Sequence, residues 1–150
     1  MSELRLQELT AQTIAAANSL TLKPGQEAFV APTTYTHYED QLDPTTGWPR
    51  VVLDGDEVVG YIMGNFDPEA SEDFARSALW RVNVSADAQG QGVGRFAVLA
   101  LAEEARSRGF ETLTVVWEPG EAGPEEFFKA VGFEIVDETI YGDRLGRLSL

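Results

Sequence analysis

Between residues 89 and 94 the chain reads Gln89-Gly90-Gln91-Gly92-Val93-Gly94, a glycine at every second position, and Arg95 follows. A loop that wraps a pyrophosphate must aim several backbone N–H groups at one spot and let the ligand come close, and residues without a Cβ serve both needs. A helix opening at Gly94 adds the partial positive charge of its N-terminus to that spot, and Arg95 adds a full charge. The chemistry implied is anion binding. In a chain with 25 acidic against 11 basic residues, net charge −14, an anion site has to be built from backbone dipoles and one arginine. No Gly-Lys-Ser/Thr follows the loop, which excludes a nucleoside-triphosphate site. Gly92-Val93-Gly94-Arg95-Phe96-Ala97 satisfies a dinucleotide fingerprint, with Glu118 at the end of the next strand. That loop, however, comes late, after an antiparallel hairpin, and too little chain remains for a second mononucleotide half.

The elements that must position this loop follow from periodicity. Leu4 to Leu9 alternates as a short strand, and Thr10 or Thr13 caps a helix through Ile14 to Leu20. Pro24-Gly25 breaks the pattern before a polar, aromatic segment from Phe29 to Tyr38. Val51 to Leu53 and Val58 to Phe66 flank Asp54-Gly55-Asp56, whose Asp-Gly pair supplies positive backbone dihedrals for a tight hairpin. Past an acidic loop, Asp67 to Asp73, the run Ala78 to Val84 alternates with Trp80, Val82 and Val84 on one face and Leu79, Arg81 and Asn83 on the other. Gly94 to about Arg108 reads as a long helix, apolar nearly all round from Phe96 to Ala102 and therefore deeply packed, closed by Gly109. Leu113 to Trp117 is the next strand, so residues 78–117 form a β-loop-α-β unit with a right-handed crossover. Pro124, Glu125 and Glu126 open a short helix that Gly132 ends. Phe133 to Ile140 and Leu145 to Leu150 finish as strands around Gly142-Asp143. The fold class expected is α/β (α+β), with a mixed six- to seven-stranded sheet.

With 150 residues, 43% hydrophobic and 24% charged, one domain spanning 1–150 is expected. No apolar run approaches a membrane span, and the acidic start MSELRLQELT has no signal-peptide pattern, which points to a cytoplasmic protein. Without cysteine there is no disulfide, thiolate metal site or cysteine nucleophile, and with His37 the only histidine no metal cluster is visible. The net charge disfavours nucleic acid and anionic lipid as partners and favours cationic ones.

The loop and its surroundings resemble the GNAT superfamily of acetyl-CoA-dependent N-acetyltransferases. Gln89 to Gly94 matches the family's R/Q-x-x-G-x-G/A block, with Val84 ending the preceding strand, and Phe127-Phe128-Lys129-Ala130-Val131-Gly132-Phe133 is similar to its F-Y-x-x-x-G-F segment. Pro24-Gly25-Gln26-Glu27 and Phe29-Val30-Ala31-Pro32 resemble the start of the spermine/spermidine (diamine) acetyltransferase-like branch. The resemblance implies a sheet whose central parallel strands splay apart, flanked by helices. It implies acetyl-CoA as co-substrate, pyrophosphate on the amides from Gln89 to Arg95, pantetheine paired with Val82, Asn83 and Val84, and the Val84 amide as oxyanion donor. A small amine such as a polyamine is the implied acceptor; a homodimer is left open.

Two positions depart from the family. Phe128 stands where many members have a tyrosine that protonates the leaving thiolate, and it also borders the cofactor. A thiol of pKa about 8.5 is a tolerable leaving group unaided, and a general acid adds only about 10²- to 10⁴-fold. A replacement donor, Tyr141 or Tyr38, a slower step, or a non-catalytic acyl-CoA-binding module are the alternatives. The asparagine that often precedes the last helix is replaced around Glu121. Alkylammonium groups titrate near 10, so the amine needs a base. Glu118, Glu39 and His37 are candidates for it, and Tyr35, His37, Tyr38 and Glu39 for the acceptor side, where aromatic faces suit cations.

Overall fold

β-Branched and aromatic runs bounded by glycine and acidic turns fold into one sheet of seven strands in a computed structural model. It describes residues 4–10, 13, 15–16, 44–70, 72–88, 90, 92–120 and 124–150. The strands are β1 (Leu4–Glu8), β2 (Gly47–Asp54), β3 (Glu57–Phe66), β4 (Ser77–Val84), β5 (Thr112–Trp117), β6 (Glu134–Glu138) and β7 (Arg144–Ser149). Two helices are described in full, α1 (Val93–Ser107) and α2 (Glu125–Val131). The sheet order is β1-β2-β3-β4-β5-β7-β6, antiparallel throughout except for the β4–β5 pair. The expected mixed sheet with a parallel centre is therefore present. The helix expected over Ile14 to Leu20 and the segment Phe29 to Tyr38 lie, all but a few positions, outside the described residues.

Several expectations are refined. The β2–β3 hairpin closes on Gly55 and Asp56, with Asp54 opposite Glu57, and only Gly55 takes a positive φ, +63°. β2 starts at Gly47, not Val51. It carries Pro49 beyond the last β1 pair, Glu8 with Arg50, where a missing N–H leaves no ladder bond to β1 unmade. Helix α1 is one-sided rather than buried all round. Val93, Gly94, Ala97, Val98, Leu101, Ala102 and Ala105 face the sheet, while Leu99 is 42% exposed. Small residues allow this close docking: a Cβ at Gly64 of β3 would collide with Leu101, and one at Gly60 would lie 3.0 Å from Val93 Cγ1. Helix α2 packs on the same face, its Phe128 against Trp117 of β5.

Strand β4 does not alternate strictly. Met63 lies opposite Arg81 but Gly64 opposite Leu79, so Trp80 is the extra residue of a β-bulge. Opposed residues share a face, and Gly60 and Gly64 face α1; Leu79, Val82 and Val84 therefore all point toward α1. Strict alternation had put Leu79 on the other face from Val82 and Val84. Bulges bend the strand that carries them. Pairing between β4 and β5 is limited to Ala78 with Thr114 and Leu79 with Val115, stopping where the bulge begins. Beyond it, Arg81 to Val84 diverge from β5.

Candidate active site

Antiparallel pairing decides which way each backbone group of β4 points. Ser85 donates to Val59 O at 2.9 Å around the opposed residues Gly60 and Val84, which makes that couple the non-hydrogen-bonded kind. The Val84 N–H and C=O are therefore directed away from β3, toward the splay, and by the period of two so are those of Val82. The base of the gap is tied by Thr114 Oγ1, 3.2 Å from both Phe74 O and Ser77 O. The β4 backbone beyond the bulge thus turns groups toward the splay with strand spacing.

At the mouth of the gap the chain turns into α1. Gly90 and Gly92 both hold φ +83°, and a Cβ at either would meet nothing within 4 Å, so both are conformational requirements beside open space. Gly92 is the N-cap, accepting from Phe96 N at 2.9 Å, and the first-turn amides of α1 converge with its positive dipole end. Gly94 serves a different purpose. It is buried in the first turn, and a Cβ there would lie 3.0 Å from Phe127 Cζ and 3.4 Å from Val84 Cγ2. Gln89 and Gln91 lie outside the described residues.

Arg95 was expected to add its charge to the anion site; in the structure its Nη1 donates to Ala130 O of α2 at 3.3 Å, linking the two helices. Phe128 was expected at the cofactor. Phe128 is only 3% exposed, with its ring centroid 5.2 Å from Trp117, 5.3 Å from Phe127 and 5.6 Å from Phe133. Burying a ring among aromatics removes its area from water, whereas a phenol there would need a partner. Phe127, not singled out for the site, is the ring that reaches Gly94.

Glu118 directly follows β5. Tyr141, 45% exposed, sits in the β6–β7 turn, which the pairing of Arg144 with Trp117 brings to the same end of the sheet. Val84, the glycine loop, Glu118 and Tyr141 thus share the carboxyl end of the parallel pair. A network that no sequence spacing signals stands there too: Trp117 Nε1 donates to Glu125 Oε1 at 3.2 Å, and Arg144 lies 3.6 Å from the same oxygen and 3.8 Å from Glu138. On the face of the sheet away from α1, Tyr61, Arg81 and Asn83 line the diverging stretch. Burial pushes the Tyr61 phenol up from its ordinary value, and the Arg81 guanidinium pulls it partly back. Tyr35, His37, Tyr38, Glu39 and the Glu121 position lie outside the described residues.

A split parallel pair beside a glycine-capped helix start defines a class: proteins that lay an extended ligand with an anionic head into the gap of an opened sheet. The chain belongs to the acetyltransferase (GNAT) family, whose model matches residues 14–133. It is accordingly an acetyltransferase by family. Solved structures share the fold. One is a domain from Methanocaldococcus jannaschii (12% identity, all of both chains covered, TM-score 0.75). The PaiA N-acetyltransferase of Thermoplasma acidophilum, in complex with coenzyme A, gives 11% identity, 99% of each chain and a TM-score of 0.73. A GNAT acetyltransferase from Elizabethkingia anophelis with acetyl-CoA bound gives 17%, 98% of each chain and 0.66. No curated protein sequence matches the chain. Among the described residues no helix is long and apolar enough to cross a membrane.

Proposed function

We propose that the chain, acting as one domain, transfers the acetyl group of acetyl-CoA to a primary amine of a small acceptor by direct attack on the thioester. The observation that carries this reading is the gap beyond Leu79, toward which the Val82 and Val84 backbones are directed beside the glycine-capped start of α1. In this reading the pyrophosphate rests on the amides of Gln89 to Arg95, and pantetheine lies along Val82, Asn83 and Val84. The Val84 N–H stabilises the oxyanion. The amine nitrogen bonds to the acyl carbon, the C–S bond breaks, and coenzyme A leaves as a thiolate. Glu118 takes the amine proton, and Tyr141 is the candidate that returns one to sulfur. A cytoplasmic setting belongs to the same reading. A polyamine acceptor draws support from the net charge of −14.

A second reading, an acyl-CoA-binding module without turnover, is favoured by one observation: Phe128, buried, supplies no proton. Release of free thiol from acetyl-CoA over a panel of polyamines, amino acids and aminoglycosides decides between them. The transfer reading expects turnover by the wild type with at least one amine. Tight acetyl-CoA binding in calorimetry with no turnover, together with activity created by Phe128→Tyr, would establish the module instead.

A further inference from the structure

Arg81 differs from every other positive charge that the structure describes. The other arginines and the lysine all have partners, most of them carboxylates or backbone carbonyls, from Arg5 beside Asp56 to Arg144 between Glu125 and Glu138. Arg81 has neither a hydrogen bond nor an ion pair among the described residues, in a chain where acids outnumber bases 25 to 11. It is also exposed, and it stands on β4 just past the last β5 pair.

Its neighbours on that face are polar. Met63 lies opposite Arg81 and Tyr61 opposite Asn83, so the phenol and the guanidinium are diagonal neighbours, and the guanidinium is close enough to oppose the upward push of burial on the phenol. The phenol stays a neutral O–H donor at physiological pH. Asn83 Oδ1 is buried without a hydrogen-bond partner. A cation, a neutral donor and an unmatched acceptor therefore line the stretch where β4 leaves β5. A buried acceptor without a donor is costly until a ligand supplies one.

We propose that these three side chains read an acceptor carrying both an amine and a carboxylate: Arg81 and Tyr61 hold the carboxylate, while Asn83 Oδ1 accepts a hydrogen bond from the amine beside the thioester. This rests on the transfer reading and, among its small primary amines, favours an amino acid over a polyamine. Two residue steps along the strand carry Arg81 to Asn83, roughly 7 Å, a span suited to a short amino acid rather than a long chain. The net negative charge draws in any cation from a distance, but exposed charges are screened beyond about 8 Å at physiological salt. Arg81 acts at contact, where it disfavours a second ammonium and favours a carboxylate.

The test uses three acceptors of equal length: 4-aminobutyrate, n-butylamine, which lacks the charge, and putrescine, which reverses it. The wild type is expected to prefer 4-aminobutyrate at least tenfold in kcat/KM. Arg81→Met should raise its KM at least tenfold while leaving kcat, the KM of acetyl-CoA and the kinetics with n-butylamine nearly unchanged, and Arg81→Lys should recover part of the loss. Preference for putrescine, or an equal effect of Arg81→Met on n-butylamine, overturns the inference and leaves the transfer reading standing. If none of the three is acetylated, saturation-transfer NMR on the protein loaded with coenzyme A decides separately. Arg81-dependent binding of 4-aminobutyrate upholds the recognition while transfer fails, and absence of such binding overturns it too.

Discussion

Gly90 and Gly92 are held at φ +83° with open space where a side chain would project, so a side chain there meets no protein atom and, in the transfer reading, projects toward the cofactor. Gly92→Val places a β-branched residue in the left-handed region, at about 1–2 kcal/mol of strain. The expected outcome is a fold retained with a modestly lower urea midpoint but at least tenfold weaker acetyl-CoA binding in calorimetry; unchanged affinity would move the cofactor elsewhere. Tyr61 makes a pH prediction. Its folded pKa is raised above the ordinary 10.0, so the folded state holds the proton more tightly. The associated stability is fully present below about pH 10 and is lost as pH climbs through the folded value. Urea midpoints between pH 8 and 11 should fall less steeply for Tyr61→Phe than for the wild type.

At the scale of elements, the active site depends on α1 lying close enough to β3 and β4 for its first turn to close the mouth of the gap. Gly64 and Leu101 set that approach, since any Cβ on Gly64 meets the Leu101 side chain. Gly64→Val should cost about 1–3 kcal/mol through overpacking, read as a shift in urea midpoint. Pairing it with Leu101→Ala should recover part of that loss, giving a coupling energy that either single substitution lacks. If the two effects simply add, Gly64 does not set the distance. The bulge at Trp80 is the second determinant, because without it β4 would continue alongside β5 and close the gap that Val82 and Val84 address.

Over the whole molecule, a net charge of −14 opposes an anionic co-substrate at long range, even where the proposed loop site attracts it at contact. Acetyl-CoA association measured by stopped flow should therefore quicken as salt is raised from low ionic strength to about 0.15 M, where the screening length falls to about 8 Å. A rate that falls with salt would mean that the local positive field dominates the approach. The sequence by itself determined much of this architecture. The periods of two and 3.6, the hairpin glycine and the Gly90-Gly92-Gly94 spacing specify local conformation, and local conformation is set by near neighbours in the chain. Tertiary structure alone decided the rest. A single extra residue at Trp80 reversed the facing of Leu79, the neighbouring helix α2 took Arg95, and the aromatic cluster enclosed Phe128 while leaving Phe127 against Gly94. Tyr61, Arg81 and Asn83 come from two strands, and no spacing along one strand foretold their meeting. Such outcomes depend on which residues face one another across strands and helices, and a single chain's periodicity carries no record of that pairing.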